Sequence, residues 1–264
     1  MNKNGLIKRI FFMAAAALSA LIAPSAFAIT GTEIAQNVHD RDNGDSVHAL
    51  IQMDLVDKNG GINSRVVETW GMEDEKDLDM MVMMFHQPAS VANTRFLVVE
   101  NEGRDDDKWI YLPALKKVRR IDSSEGSNSF MGTDLSYDDM ETRKVEEDTH
   151  ELLKEEKIGG YECYVVKAVS IDPSNSQYSQ RISWIDKNTW IPVKMELYDK
   201  KGNLEKVMTA EKIEKVQNYW SILQTTMKNV QTGHSTVLAI KKLVYDEKLN
   251  RALFTTQFLS AGRI

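Results

Sequence analysis

The chain has 264 residues, with 33 Lys or Arg against 39 Asp or Glu and a formal net charge of −6. An acidic average argues against a nucleic-acid partner, because phosphate binding needs a basic surface stripe. The single cysteine, Cys163, rules out an intramolecular disulfide, so the fold must rest on its hydrophobic core.

Lys3, Lys8 and Arg9 precede an apolar run over residues 10–22, followed by Pro24 and the small-x-small triplet Ala26-Phe27-Ala28. These are the three parts of a secretory signal peptide, cut after Ala28. The apolar run is about a dozen residues, short of the roughly 20 that span a bilayer as a helix. Ile29 would come first after cleavage, where a bacterial lipoprotein has its acylated cysteine. The sequence therefore predicts an unanchored mature chain, residues 29–264, working outside the cytoplasm. Losing residues 1–28 leaves 30 basic and 39 acidic side chains.

Thr30-Gly31-Thr32-Glu33 has capping-box spacing and predicts a short helix to Asp40. Val47, Ala49, Ile51, Met53 and Leu55 then alternate with polar residues, and Asp57-Lys58-Asn59-Gly60-Gly61 turns the chain into a second strand through Val66, Glu68 and Trp70. Met80-Met81-Val82-Met83-Met84-Phe85 is apolar on both faces, so both must be covered. Further strands follow at residues 96–99 and 109–112, then a turn into Lys116-Lys117-Val118-Arg119-Arg120-Ile121. Residues 121–140 read as a long polar loop with a short helix capped at Ser136. From Gly159-Gly160 onward the strand and turn signals are regular up to Tyr245, and a last helical stretch is expected over residues 247–253. The pattern is that of one antiparallel meander in a single domain, not of alternating βα units.

Little in the sequence suggests catalysis. Cys163 lies mid-strand with no histidine placed to activate it, and reads as structural. His39, His48, His86, His150 and His234 lack metal-ligand spacing, so no metal or cofactor is expected. Asp105-Asp106-Asp107 reads as a solvated turn, since three adjacent carboxylates in an extended loop cannot converge on one ion. Lys116, Lys117, Arg119 and Arg120 admit two readings: a solvated edge that resists strand pairing, or a contact for lipid headgroups or an acidic partner. The abundant methionines suit either ordinary core packing or an adaptable apolar binding surface.

The block Trp109-x-Tyr111-Leu112-Pro113-x-Leu115-Lys116-Lys117-Val118-Arg119-Arg120-Ile121, followed by Ser129-Phe130-Met131-Gly132-Thr133-Asp134-Leu135-Ser136-Tyr137-Asp138-Asp139, resembles the signature of the outer-membrane lipoprotein-sorting-like proteins related to LolA and LolB. Trp184-Ile185-Asp186-Lys187 with Pro192, residues 229–236, and Leu253-Phe254-Thr255-x-x-Phe258-Leu259 resemble the same family. The resemblance implies a mainly β fold: an incomplete, half-open antiparallel β-barrel, here of about 10–11 strands, with short helices over an apolar concave side. It further implies a periplasmic carrier of lipid or lipoprotein acyl chains that makes transient membrane contact and works with a resistance-nodulation-division (RND/MMPL) type transporter, as a monomer. The alternatives are an accessory or regulatory subunit of that transporter and, more weakly, an enzyme acting on a lipid.

For a carrier, the expected cavity wall is Ile51, Met53, Met81, Met83, Phe85, Trp109, Tyr111, Trp184, Val193 and Met195. The expected lid loop carries Phe130, Met131, Leu135 and Tyr137. Which face of each strand looks inward is open, because a one-residue slip inverts every side chain.

Overall fold

The computed structural model describes residues 29–75 and 78–263; the signal peptide expected at residues 1–28 lies outside the described residues. Helix α1 (Gly31–His39) begins on a capping box, with the Thr30 amide donating to Glu33 Oε2 at 2.7 Å and the Glu33 amide donating to Thr30 Oγ1 at 3.2 Å. Gly31 is required at its start: a Cβ there would stand 2.7 Å from the His150 carbonyl.

Thirteen strands follow in one sheet. The first six are β1 (Ser46–Val56), β2 (Ile62–Glu73), β3 (Asp79–Gln87), β4 (Arg95–Val99), β5 (Asp107–Leu112) and β6 (Lys117–Ile121). The other seven are β7 (Asp148–Ile158), β8 (Tyr161–Ser170), β9 (Gln180–Asp186), β10 (Pro192–Tyr198), β11 (Leu204–Val216), β12 (Tyr219–Asn229) and β13 (Ser235–Tyr245). Their order is β6-β5-β4-β3-β2-β1-β13-β12-β11-β10-β9-β8-β7, antiparallel throughout. Two meanders thus meet at β1 and β13, where Met53 faces Leu238, and β6 and β7 form the edges. The sheet stays open, as the half-open barrel requires, but has 13 strands rather than 10 or 11. The strand that escaped the sequence reading is β7. Its Lys- and Glu-rich sequence has a broken alternation, because an edge strand has one unpaired side and is protected from aggregation by charge.

The two faces of the first meander are covered differently, as the doubly apolar β3 demands. Met83 and Phe85 join Met53, Val67, Phe96 and Ile110 on the inner face. Met80 and Val82 point the other way, under Phe254, Phe258 and Leu259 at the C-terminus. Helix α2 (Thr256–Ala261) carries the last two. It starts later than the helix expected over residues 247–253, which contain only a 3-10 turn at Arg251–Leu253, because Thr255 supplies the cap by accepting from the Phe258 amide at 3.1 Å. Arg95 closes the other end of α2 by donating to the Leu259 carbonyl at 2.6 Å.

Segment 122–147 connects the two edge strands and must therefore cross the inner side of the curled sheet. Phe130 and Tyr137 are buried within that crossing, with ring centroids 4.9 Å and 5.7 Å from Phe96. Helix α1 covers the far meander, with Ile34 packed on Val166 and Ile185.

Candidate functional site

The inner face is not filled by side chains alone. Three hollows of about 890, 330 and 610 Å³ lie along it, and Thr142 of the crossing segment borders all three. Each is within the range of small-molecule sites. Val47, Ile51, Met81, Met83 and Val98 line the smallest. Arg143, Lys144, Glu146 and Arg181 border both larger hollows on their polar side. Met195, Leu197, Met208, Met227 and Leu135 form the apolar side of the 610 Å³ hollow, and Ala35, Val38, Val166, Ile185 and Met195 that of the largest. The first residues belong to one meander and the last to the other, so the sheet curls around a single trough that the crossing segment partitions.

Polar anchors hold that partition in place. Ser136 and Asp139 cap each other, their amide-to-side-chain bonds 2.8 and 3.1 Å long. Asp139 also accepts from the Tyr178 hydroxyl at 3.0 Å and from Lys206 Nζ at 3.2 Å. Burial and that carboxylate push the Tyr178 phenol far up, so it remains a neutral donor. Asp134 accepts from Thr236 Oγ1 at 2.8 Å and pairs with His234 Nδ1 at 2.7 Å, which fastens the 129–136 turn to β13. Arg65 donates to the Met131 carbonyl at 2.7 Å, and Arg143 clasps Asp148 through two bonds of 2.7 Å.

Lys108 on β5 pairs with Asp138 at 2.8 Å and with Glu141. Its pKa is raised: burial opposes its charge, but the two carboxylates outweigh burial. Glu141 is nevertheless raised as well, by its own burial, because Asp138 and Asp105 crowd it while only one lysine serves the group. The group is therefore a firmly held cation facing an excess of acids.

Asp106 borders both the 330 and 610 Å³ hollows, and burial, together with Glu141, pushes its carboxyl up to about 7. A raised folded pKa means that the fold holds the proton. The contribution to stability is complete below the unfolded value near 4 and is lost as pH rises through about 7. Discounted for partial exposure, this amounts to about 2 kcal/mol. Asp106→Asn is expected to match the parent near pH 4 and to exceed its stability by about 2 kcal/mol at pH 8 in urea titrations. A parallel pH profile for both proteins would remove Asp106 as the source.

Of the expected wall residues, Ile51, Met53, Met81, Met83, Phe85 and Met195 share the inner face. Four do not. Trp109 and Tyr111 alternate with inward Ile110 and pack with the C-terminal segment instead, Tyr111 beneath the Arg95 guanidinium at 4.9 Å. Trp184 and Val193 lie on the outer face with Cys163 and Val165, where Trp184 donates to Glu156 at 2.6 Å. Val193 and Met195 have the same parity in sequence, but a register shift between Pro192 and Lys194 separates their faces. Burial raises the Cys163 thiol to about 11, as suits a packed, unreactive cysteine.

Phe130, Met131, Leu135 and Tyr137 form an internal brace rather than an outer lid, with Phe130 fully buried. Arg119 pairs with Glu125 at 2.6 Å and Arg120 with Asp107 at 2.5 Å, whereas Lys116 and Lys117 are exposed at the turn. None of these four basic residues borders the hollows. Asp106, expected in a solvated turn with Asp105 and Asp107, is half-buried at the hollows instead, and nothing local in the sequence distinguishes the buried Lys108 and Lys206 or the half-buried Glu141 from surface charges. Among the described residues no cluster of His, Cys, Asp or Glu fits a metal ion.

The chain is 34% identical to a domain from Vibrio parahaemolyticus described as an outer-membrane lipoprotein-sorting protein, over 87% of this chain and 98% of that one, with a TM-score of 0.82. It is 30% identical to a DUF1329 family protein from Desulfovibrio piger, over 87% and 97% of the two chains, with a TM-score of 0.83. A LolA superfamily protein from Nitrosomonas europaea shares the fold, with a TM-score of 0.68 and 19% identity over 88% and 100% of the chains. A family model described only as an uncharacterized protein matches residues 77–261. No curated protein matches. With such identities sustained along most of its length, the chain belongs to the DUF1329 family of outer-membrane lipoprotein-sorting-like proteins, built on the LolA-like fold.

Proposed function

We propose that the protein is a periplasmic carrier of acyl chains, either of a lipoprotein or of a free lipid, and not an enzyme. The observation that carries this reading is the methionine-rich inner trough, in which Met81, Met83, Met195, Met208 and Met227 supply unbranched, adaptable side chains facing open space. Burying an acyl chain yields about 0.8 kcal/mol per methylene, so some 14 carbons give roughly 10 kcal/mol before association costs. Extraction of a lipid then needs fit and dryness rather than specific chemistry. On this reading the signal peptide delivers the chain to the periplasm, the absence of a cysteine at position 29 leaves it unanchored, and it acts as a monomer beside an RND/MMPL-type transporter.

Protein purified from its native compartment without detergent is expected to release acyl-bearing molecules in near-stoichiometric amount, as read by mass spectrometry of the organic extract. A lipid-free protein that also fails to take up a fluorescent fatty acid would overturn the carrier reading and leave the accessory-subunit alternative.

A further inference from the structure

Alternating strand directions place six connections, residues 57–61, 88–94, 113–116, 171–179, 199–203 and 230–234, at one end of the sheet. Four of the large apolar residues most exposed among the described residues lie at or beside them: Ile62 is 65% exposed, Ile171 63%, Leu115 62% and Val230 41%. They belong to four separate connections, so none can cover another within a hairpin. Neighbouring connections touch, Gly233 lying against Lys58, Gln231 donating to Asp199 at 3.0 Å and Lys200 donating to the Pro173 carbonyl.

Charge at this end runs against the acidic average. Lys58, Lys116, Lys117, Lys200 and Lys201 stand at or beside the connections, against Asp57, Asp172 and Asp199. All three aspartates are engaged by turn amides, Asp57 by Asn59 and Gly61, Asp172 by Ser174, and Asp199 by Lys201 and Asn203. Glu147, whose carbonyl accepts from Ile171, is paired through its side chain with Arg143 at 3.1 Å. At the opposite end, the described residues of connections 74–78, 100–106, 159–160, 187–191 and 217–218 contain six acids and only Arg104 and Lys187 as bases. The molecule is therefore polarised along its strands.

We propose that the hairpin end is a docking surface for an anionic lipid bilayer. Isolated aliphatic side chains on rigid turns enter the headgroup and acyl boundary, while the lysines beside them meet lipid phosphates; each lysine near such a surface contributes about fivefold in binding. Charge decides in favour of a bilayer over a protein partner. The apolar residues are spaced singly along a curved rim ringed by lysines, without the contiguous apolar centre that a protein interface needs. The inference goes beyond the carrier reading, because it holds whether or not the trough takes a lipid.

The test is co-sedimentation of the mature chain with vesicles of phosphatidylcholine containing a quarter phosphatidylglycerol, beside vesicles of phosphatidylcholine alone. Binding is expected to the anionic vesicles and to weaken with salt. It is expected to fall about tenfold or more in Ile62→Ser/Leu115→Ser/Ile171→Ser/Val230→Ser, and likewise when the five lysines become Gln. Leu153→Ser/Trp220→Ser, at exposed apolar sites away from this rim, should bind as the parent does, and so should the trough variant Met195→Glu, which separates docking from cargo. No binding to anionic vesicles, or equal losses from the Leu153/Trp220 pair, would overturn the proposal. Capture of a protein through the rim without vesicle binding would overturn it too.

Discussion

Met195→Glu is expected to lower affinity for a fluorescent fatty acid by about 100-fold while leaving the thermal transition nearly unchanged. Met195 borders the 610 and 890 Å³ hollows at once and is only half-buried, so a polar side chain of similar length fits there without overpacking the core. In the empty protein the new carboxylate stays hydrated. With an acyl chain bound it loses water without gaining a partner, and the chain loses the methionine contact. Together these cost about 3 kcal/mol, which is the 100-fold. Lys201→Glu reverses a charge on an exposed turn and is expected to leave fatty-acid affinity unchanged. Met81→Glu, in the 330 Å³ hollow, then reports whether the cargo reaches past the partition. Equal effects at Met195 and Lys201 would sink the trough as the binding site.

The sequence made the architecture legible wherever period and turn chemistry agreed. Residues 47–55 alternate cleanly, and Asp57-Lys58-Asn59-Gly60-Gly61 can hardly be anything but a turn, so the hairpin of β1 and β2 follows. β3 announced two covered faces, and they are covered, by Phe130 and Tyr137 on one side and by α2 on the other. Two kinds of information were missing. Facing was lost where alternation is symmetric or broken: Trp109 and Tyr111 are large side chains that can be buried as readily as Ile110, and the irregularity after Pro192 sends Val193 and Met195 to opposite sides. Long-range pairing was lost as well. Asp134 meets Thr236 and His234, and Asp139 meets Tyr178 and Lys206, only because β6 and β7 sit at opposite edges of the sheet, so that the chain between them must cross the hollow. Residues 121–140 could be singled out as a long loop of unusual composition, but a loop that closes over a site and a brace that runs through it have the same local sequence.

That brace has one point of failure that outweighs the others. The Lys108 side chain is 4% exposed and ties β5 to the crossing segment through Asp138 and Glu141. Lys108→Met preserves much of its volume and removes its charge. It should therefore cost little in packing and about 3–5 kcal/mol through the acids left without a cation. For a fold with roughly 5–15 kcal/mol of total stability this is a large fraction. The pH dependence identifies the cause. Asp106 and Glu141 already hold raised pKa values, and losing Lys108 raises Glu141 further, so the variant binds protons more tightly folded than unfolded. Its deficit is expected to be greatest at pH 8 and to shrink towards pH 5 as these carboxyls take up protons. Adding Glu141→Gln to the variant should restore part of the loss at pH 8 and little at pH 5. Urea titrations at the two pH values read all three effects, and a deficit that does not change with pH would mean that Lys108 contributes through packing alone. If the charge account holds, loosening this tie frees the partition at its β5 end, and the smallest and middle hollows, which share Asp106 and Thr142, become one continuous space for a longer chain.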